Sequence, residues 1–349
     1  MSILHRALAV FASCILCEAD ASLTIIEPPG TILEGVESKV CHPEGIAFSP
    51  TGDSVAVVNA ASDAICFHRR LANDSNYEIT PSFTIEGPDA QLSYPHDVAF
   101  SPNGEHLAVA NSQGQSVNIY KKSTQHDFYE PVPMVVLKGR RTQLHYPHAV
   151  KYVPTENAIA VANVYANTIA FFHYEGDDYE QVPYYVITQD QILDRPDGLA
   201  FSSDGELLAV ASHGNHLVPI YQRQQGPNGE YSWKLVEVIR GFRSNLYYPH
   251  SLSFHPSNEY LAVSNAAGAQ TLLVFKKVSD TFPRYGRTAV QALSIFHAES
   301  VPLQSTFPEE GGVKGVAFAP NGNALGICSS NIADLHKSVL IYPIGLIYP

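Results

Sequence analysis

Apolar residues alternate with small or polar ones in short runs, as in Gly45-Ile46-Ala47-Phe48 and Val98-Ala99-Phe100, a period that predicts half-buried β-strands. Each run is followed by turn residues, such as Pro102-Asn103-Gly104, and then by a second apolar run, such as residues 107–110. The unit recurs six times: HPEGIAFSPTG from His42, YPHDVAFSPNG from Tyr94, YPHAVKYVPTE from Tyr146, RPDGLAFSSDG from Arg195, YPHSLSFHPSN from Tyr248 and GVKGVAFAPNG from Gly312. With Pro43, Pro95, Pro147, Pro196, Pro249 and Val313 as origins, the period is 49 to 64 residues.

Sixteen residues after every origin the second run ends in a small polar residue: Asn59, Asn111, Asn163, Ser212, Asn265 and Ser329. An unvarying ruler predicts one antiparallel hairpin built six times. A third strand follows, ending in aromatics such as Phe67, Tyr120 and Phe171, and a fourth comes after a polar loop, at 82–85, 134–137, 185–187 and 235–239. Four strands per repeat predict an all-β, six-bladed β-propeller over residues 22–349, with four antiparallel strands in each blade. The last repeat holds only three strands, and the spare segment 23–27 is expected to complete the last blade and close the ring. The longest departure from the repeat, 278–310, contains the expected fourth strand of blade five within 289–298; the rest is a candidate lid over the channel.

The chain start changes the picture of where the protein works. A basic beginning that ends at Arg6, an apolar run over 7–17 and Ala19-Asp20-Ala21 together read as a signal peptide over 1–21, predicting a secreted protein that starts near Ser22. No segment reaches the roughly 20 apolar residues of a membrane helix, so no transmembrane segment is expected. Asn73-Asp74-Ser75 is a glycosylation sequon. Removal of the leader leaves Cys41, Cys66 and Cys328, which imply neither a disulfide framework nor a metal-binding spacing. The formal charge of −13, with 21 scattered Lys and Arg, excludes a nucleic-acid partner.

In an antiparallel hairpin the start of one strand and the end of the next share an edge. Two rings are therefore expected at one channel mouth. The inner ring is Glu44, His96, His148, Asp197, His250 and Lys314, every member ionisable; the second is Asn59, Asn111, Asn163 and Asn265 with Ser212 and Ser329. His42, Tyr94, Tyr146, Arg195 and Tyr248 stand before the origins and are expected to line the approach. His96, His148, His250, Glu44 and Asp197 form a candidate ligand set for a divalent transition metal such as zinc, because neutral imidazole and carboxylate suit such ions. A hydrated channel in which Lys314 neutralises Glu44 and Asp197 is the competing reading. The second ring reads as side chains that satisfy turn amides. Cys41 and Cys328 are placed for a reactive thiol, but no His-Cys spacing supports one.

The repeats, best seen in YPHDVAFSPNGEHLAVANSQGQSVNIYK from Tyr94, resemble those of the NHL and YVTN/lactonase-like propellers. FSPNG is also similar to WD40 repeats, although no Trp-Asp dipeptide occurs and Trp233 is the only tryptophan. Glu44-Gly45 and Pro196-Asp197-Gly198 resemble the channel calcium site of the senescence-marker/gluconolactonase propellers, with His96 and His148 in the intervening places, where imidazole disfavours calcium. Pro95-His96, Pro147-His148 and Pro249-His250 are similar to the zinc-binding strand starts of the peptide-amidating lyase, but in blades two, three and five rather than in alternation. The function expected first is a secreted binding module that holds a protein partner or small-molecule ligand at the channel mouth. The alternative is a metal-dependent lactonase, other hydrolase or lyase using the same ring.

Overall fold

The computed structural model describes residues 22–72, 75–188, 191–227, 229–294, 312–330 and 337–347. Six antiparallel sheets are arranged as blades, and the innermost strands, Pro43–Phe48, Pro95–Phe100, Pro147–Tyr152, Pro196–Phe201, Pro249–Phe254 and Val313–Phe318, each pack against the next until the sixth meets the first. Six apolar cores fill the six blade interfaces; between blades one and two, for instance, Val58, Ile65 and Phe67 meet Val98, Val109 and Tyr120. The small Ala residues of the second strands, such as Ala108, Ala110, Ala160 and Ala162, are fully buried there.

The sixteen-residue ruler is the hairpin register: Pro43 pairs with Asn59, Pro95 with Asn111, Pro147 with Asn163, Pro196 with Ser212, Pro249 with Asn265 and Val313 with Ser329. The fourth strands of blades one to four lie where the pattern predicts them, at Phe83–Ile85, Val135–Lys138, Tyr185–Thr188 and Tyr231–Ile239. That of blade five is Gln291–Leu293.

Ring closure follows the expected logic with one addition. Ser22–Ile25 pairs with the far half of Lys337–Ile347, as predicted, and Thr31–Glu34 pairs with the near half of the same strand. Between Ile25 and Thr31 five residues oppose two, so one outer strand is interrupted at Glu27-Pro28-Pro29-Gly30, where the two prolines lack the N–H a ladder requires. Leu23 and Leu33 are buried on either side of the break. Gln291 of blade five donates to Leu23 O, and Tyr260 OH of the same blade accepts from Leu23 N at 3.1 Å, tying the N-terminal strand of blade six to blade five.

The leader 1–21, Asn73 and Asp74 of the sequon, and residues 295–310 of the insert lie outside the described residues. The described part of the insert builds the outer edge of blade five, where Phe282 and Ala289 pack on the core between blades four and five. Among the described residues no helix is long and apolar enough to cross a membrane.

Candidate functional site at the channel mouth

The same local device operates at each inner-strand start. The residue before the origin is left-handed in all six repeats: His42, Tyr94, Tyr146, Arg195 and Tyr248 have φ between 51° and 60°, and Gly312 has φ 117°. In the first five its carbonyl accepts from the residue that follows the second ring, as in Ser112 N to Tyr94 O at 3.1 Å. Directly after each origin the ladder slips by one residue, a β-bulge repeated six times. The bulge lies where Glu44, His96, His148, Asp197, His250 and Lys314 follow their origins, and these six side chains turn into the channel.

The second ring does other work. Asn59, Asn111, Asn163 and Asn265 are fully buried, and their Oδ1 atoms accept from the backbone N–H of Cys41, Ser93, His145 and Tyr247 at 2.9 to 3.1 Å. Ser212 Oγ does the same for Asp194. These side chains clamp the segment that carries the left-handed residue; among the described residues none of them lines the mouth. The amides satisfied are those of the strand approach, not of the hairpin turn.

The inner ring converges as expected under a cavity of about 470 Å³, walled also by His42, Tyr94, Tyr146 and Arg195. Tyr248 is turned aside, packing on His213 and His216 at ring-centroid distances of 5.0 and 4.5 Å. Three wall residues, Val164, Tyr165 and His213, escape the repeat pattern. His213, next to Ser212, brings Nδ1 to 3.5 Å from Asp197 Oδ2, and Tyr165 stacks on Tyr146 at 4.4 Å. The only sequence signal for His213 is that a titratable residue stands there where other repeats have Ala60, Ser112, Val164 and Ala266.

Within the ring, His148 Nδ1 lies 2.8 Å from Asp197 Oδ1, a hydrogen bond across blades three and four. Glu44 Oε1 lies 3.0 Å from His42 Nδ1. Glu44 Oε2 is buried without a hydrogen-bond partner, facing His96 Nε2 at 3.6 Å and His250 Nε2 at 3.7 Å. Asp197 Oδ2 is 3.7 Å from His250 Nε2. The rings of His96 and His148 stack at 3.7 Å.

Burial opposes the charge on Asp197, but His250, His148 and His213 outweigh it and hold the carboxyl well below the usual range. Burial likewise opposes ionisation of Glu44, and Lys314, His42 and His250 bring its net shift downward. Burial pushes His96 and His250 well below ordinary imidazole; His148 adds to the effect at His96, whereas Asp197 works against it at His250. At neutral pH Glu44 and Asp197 are thus carboxylates and His96 and His250 neutral imidazoles, the forms a metal ion requires. Two sets of donor atoms are close enough to share an ion: Glu44, His96 and His250, and His96, His148 and Asp197. The thiols of Cys66 and Cys328 are unsuited to nucleophilic work, since burial pushes Cys66 up to about 11 and Cys328 well above its ordinary value.

Glycine enables the convergence. A Cβ on Gly198 would meet His250 O at 2.5 Å, and one on Gly45 would meet His96 O at 2.8 Å, so the inner strands carrying Asp197 and Glu44 approach their neighbours only with glycine there. At the same place in blades two and five the side chain instead bonds the next blade, Asp97 accepting from Val150 N and Lys151 and Ser251 from Val316 N.

The sequence model of the family described as "Lactonase, 7-bladed beta-propeller" matches residues 21–231. The chain belongs to this lactonase family. This lactonase-family propeller closes its ring with six blades among the described residues, where the family is described by seven. Among solved structures it is similar to a protein described as a "putative 6-phosphogluconolactonase" from Bacteroides fragilis, with 15% identity, TM-score 0.57 and coverage of 90% of this chain and 89% of that one. It is also similar to a functionally unknown protein from Desulfotomaculum acetoxidans, with 15% identity, TM-score 0.56 and coverage of 88% and 90%. At that identity the likeness is one of fold alone. No curated protein matches the lactonase-family chain.

Proposed function

We propose that this lactonase-family chain is a hydrolase that opens cyclic esters of oxygen-rich, sugar-like compounds at the polar channel mouth. The observation that carries this reading is the pair His148 and Asp197, a half-buried imidazole whose Nδ1 is held 2.8 Å from a buried carboxylate. Such a partner fixes the tautomer, leaves Nε2 as the basic nitrogen and stabilises the imidazolium formed when a proton is taken. Water adds to the lactone carbonyl as His148 takes its proton. The acyl–oxygen bond then breaks, and the leaving alkoxide recovers that proton, giving the open hydroxy acid. Arg195 and Lys314 in the cavity wall supply positive charge for the carbonyl oxygen as it becomes anionic.

The cavity volume of about 470 Å³ suits a monosaccharide-sized ring, and the Tyr146 and Tyr165 stack offers an aromatic face to its C–H groups. Family membership supports the same reading, and the name of the Bacteroides relative gives sugar lactones as the first compounds to try. The apolar start supports export of the enzyme; a secreted product beginning near Ser22 is the expected result.

The test is a pH-stat assay of the purified protein against five- and six-membered lactones, including sugar lactones, beside His148→Gln. Proton release above the spontaneous rate, lost in the variant, supports the proposal. Absence of turnover on every lactone would sink it and return the mouth to the role of a binding site.

A further inference from the structure

Between Glu44, His96, His148, Asp197 and His250 the channel narrows to a void of about 10 Å³, below the mouth cavity. That is about the volume one water-sized sphere needs. It is too small for any organic ligand, so whatever occupies it is a solvent molecule or an ion. On its wall, Glu44 is 3% exposed and its Oε2 has no hydrogen-bond partner, a costly state for a buried carboxylate oxygen.

Two imidazole nitrogens face that oxygen, His96 Nε2 at 3.6 Å and His250 Nε2 at 3.7 Å. These separations are too long for hydrogen bonds. Donor atoms bound about 2.1 Å from one tetrahedral ion lie about 3.4 Å from each other, so the three atoms are spaced as a ligand set. In the second group of donors His148 and Asp197 already hydrogen-bond each other, which leaves the first set as the open one.

From this geometry we infer that Glu44 Oε2, His96 Nε2 and His250 Nε2 form a binding site for one divalent transition ion such as zinc. Two imidazoles and a carboxylate select for zinc, cobalt or iron(II) over calcium or magnesium, which prefer all-oxygen shells. Asp197 Oδ2, 3.7 Å from His250 Nε2, is the next donor available to the ion, and the mouth cavity above supplies a route in from solvent. When bound, such an ion would polarise a carbonyl oxygen or an attached water. Only that catalytic role rests on the hydrolase reading; the site itself is tested without turnover.

The experiment uses the purified protein stripped with chelator and titrated with cobalt(II). Visible d–d bands that saturate near one equivalent per chain, are displaced by zinc and are absent from Glu44→Gln of unchanged circular dichroism are the expected result. Saturation in the unsubstituted protein supports the site even where the Glu44 variant fails to fold, and His250→Gln then takes its place. No bands in the unsubstituted protein, or equal bands in both folded variants, would overturn the inference. Metal binding without lactone turnover would leave this site standing and sink the hydrolase reading; turnover by a protein that gives no cobalt bands would do the reverse.

Discussion

Asp197 accepts from His148 across the boundary between the third and fourth blades, at 2.8 Å, although the two residues belong to different hairpins. If this contact sets the tautomer of the base, Asp197→Asn should reduce lactone kcat by roughly 10²-fold or more with little change in KM, since orientation rather than ground-state binding is lost. An equal rise in KM with unchanged kcat would instead mark Asp197 as a substrate-binding group.

The close approach that joins blades four and five has a steric condition. Gly198→Ala places a methyl group 2.5 Å from His250 O and 2.8 Å from Ser251 Cα. The inner strands must move apart, at an expected cost of about 1–3 kcal/mol. Urea unfolding measures this; a variant as stable as the parent would mean that the strands relax freely.

Closure of the ring by the N-terminal segment predicts a contrast between neighbours. Leu33 is fully buried between blades six and one, and Ile32 beside it is 42% exposed. Leu33→Ala should cost about 2–5 kcal/mol, and Ile32→Ala no more than about 0.5 kcal/mol. Deletion of residues 22–29 should lower the thermal midpoint strongly, because it strips the strand from Ile344–Ile347 and from Gln291. A truncated protein that melts with the parent would show that Thr31–Glu34 suffices for closure.

Stability should fall on acidification below about pH 6.5. Burial holds His68 and His255 below the ordinary imidazole value. The unfolded chain therefore binds protons that the fold refuses, and their contribution, full above the unfolded pKa, is lost as pH decreases toward the folded one. The lowered carboxyl of Asp197 acts in the same direction at lower pH. Thermal midpoints from pH 8 to 5 measure the slope, and a non-titrating residue at His68 should flatten it; a midpoint that rises toward pH 5 would contradict the sign.

The clamp role of the second ring predicts loss of stability rather than of chemistry. Asn111→Ala leaves the backbone N–H of Ser93 without its acceptor at 3.1 Å, an expected cost of about 1–3 kcal/mol. Lactone turnover per folded molecule should stay near that of the parent; a variant that folds normally yet loses turnover would give Asn111 a direct part in the site.

The sequence by itself determined the blades. Their hairpins are local, so alternation, turn residues and the sixteen-residue ruler suffice to predict register, as the pairs from Pro43 with Asn59 to Val313 with Ser329 bear out. The ring membership of Glu44, His96, His148, Asp197, His250 and Lys314 was legible for the same reason, each standing one place after its origin. Thr31–Glu34 was not legible as a closing strand, because its partner lies near the other end of the chain and Pro28-Pro29 breaks the pattern before it.

Only the tertiary structure decided which ring members meet. Glu44 faces His250 and His96, whereas Asp197 takes His148 and draws in His213 from the turn after the second strand of its own blade; these pairings depend on ring closure, on the glycines that admit close strand approach and on the bulge that aims each side chain. Local periodicity records which way a side chain points along its own strand, but contacts around an axis form only when distant strands are brought together by the burial of six separate cores.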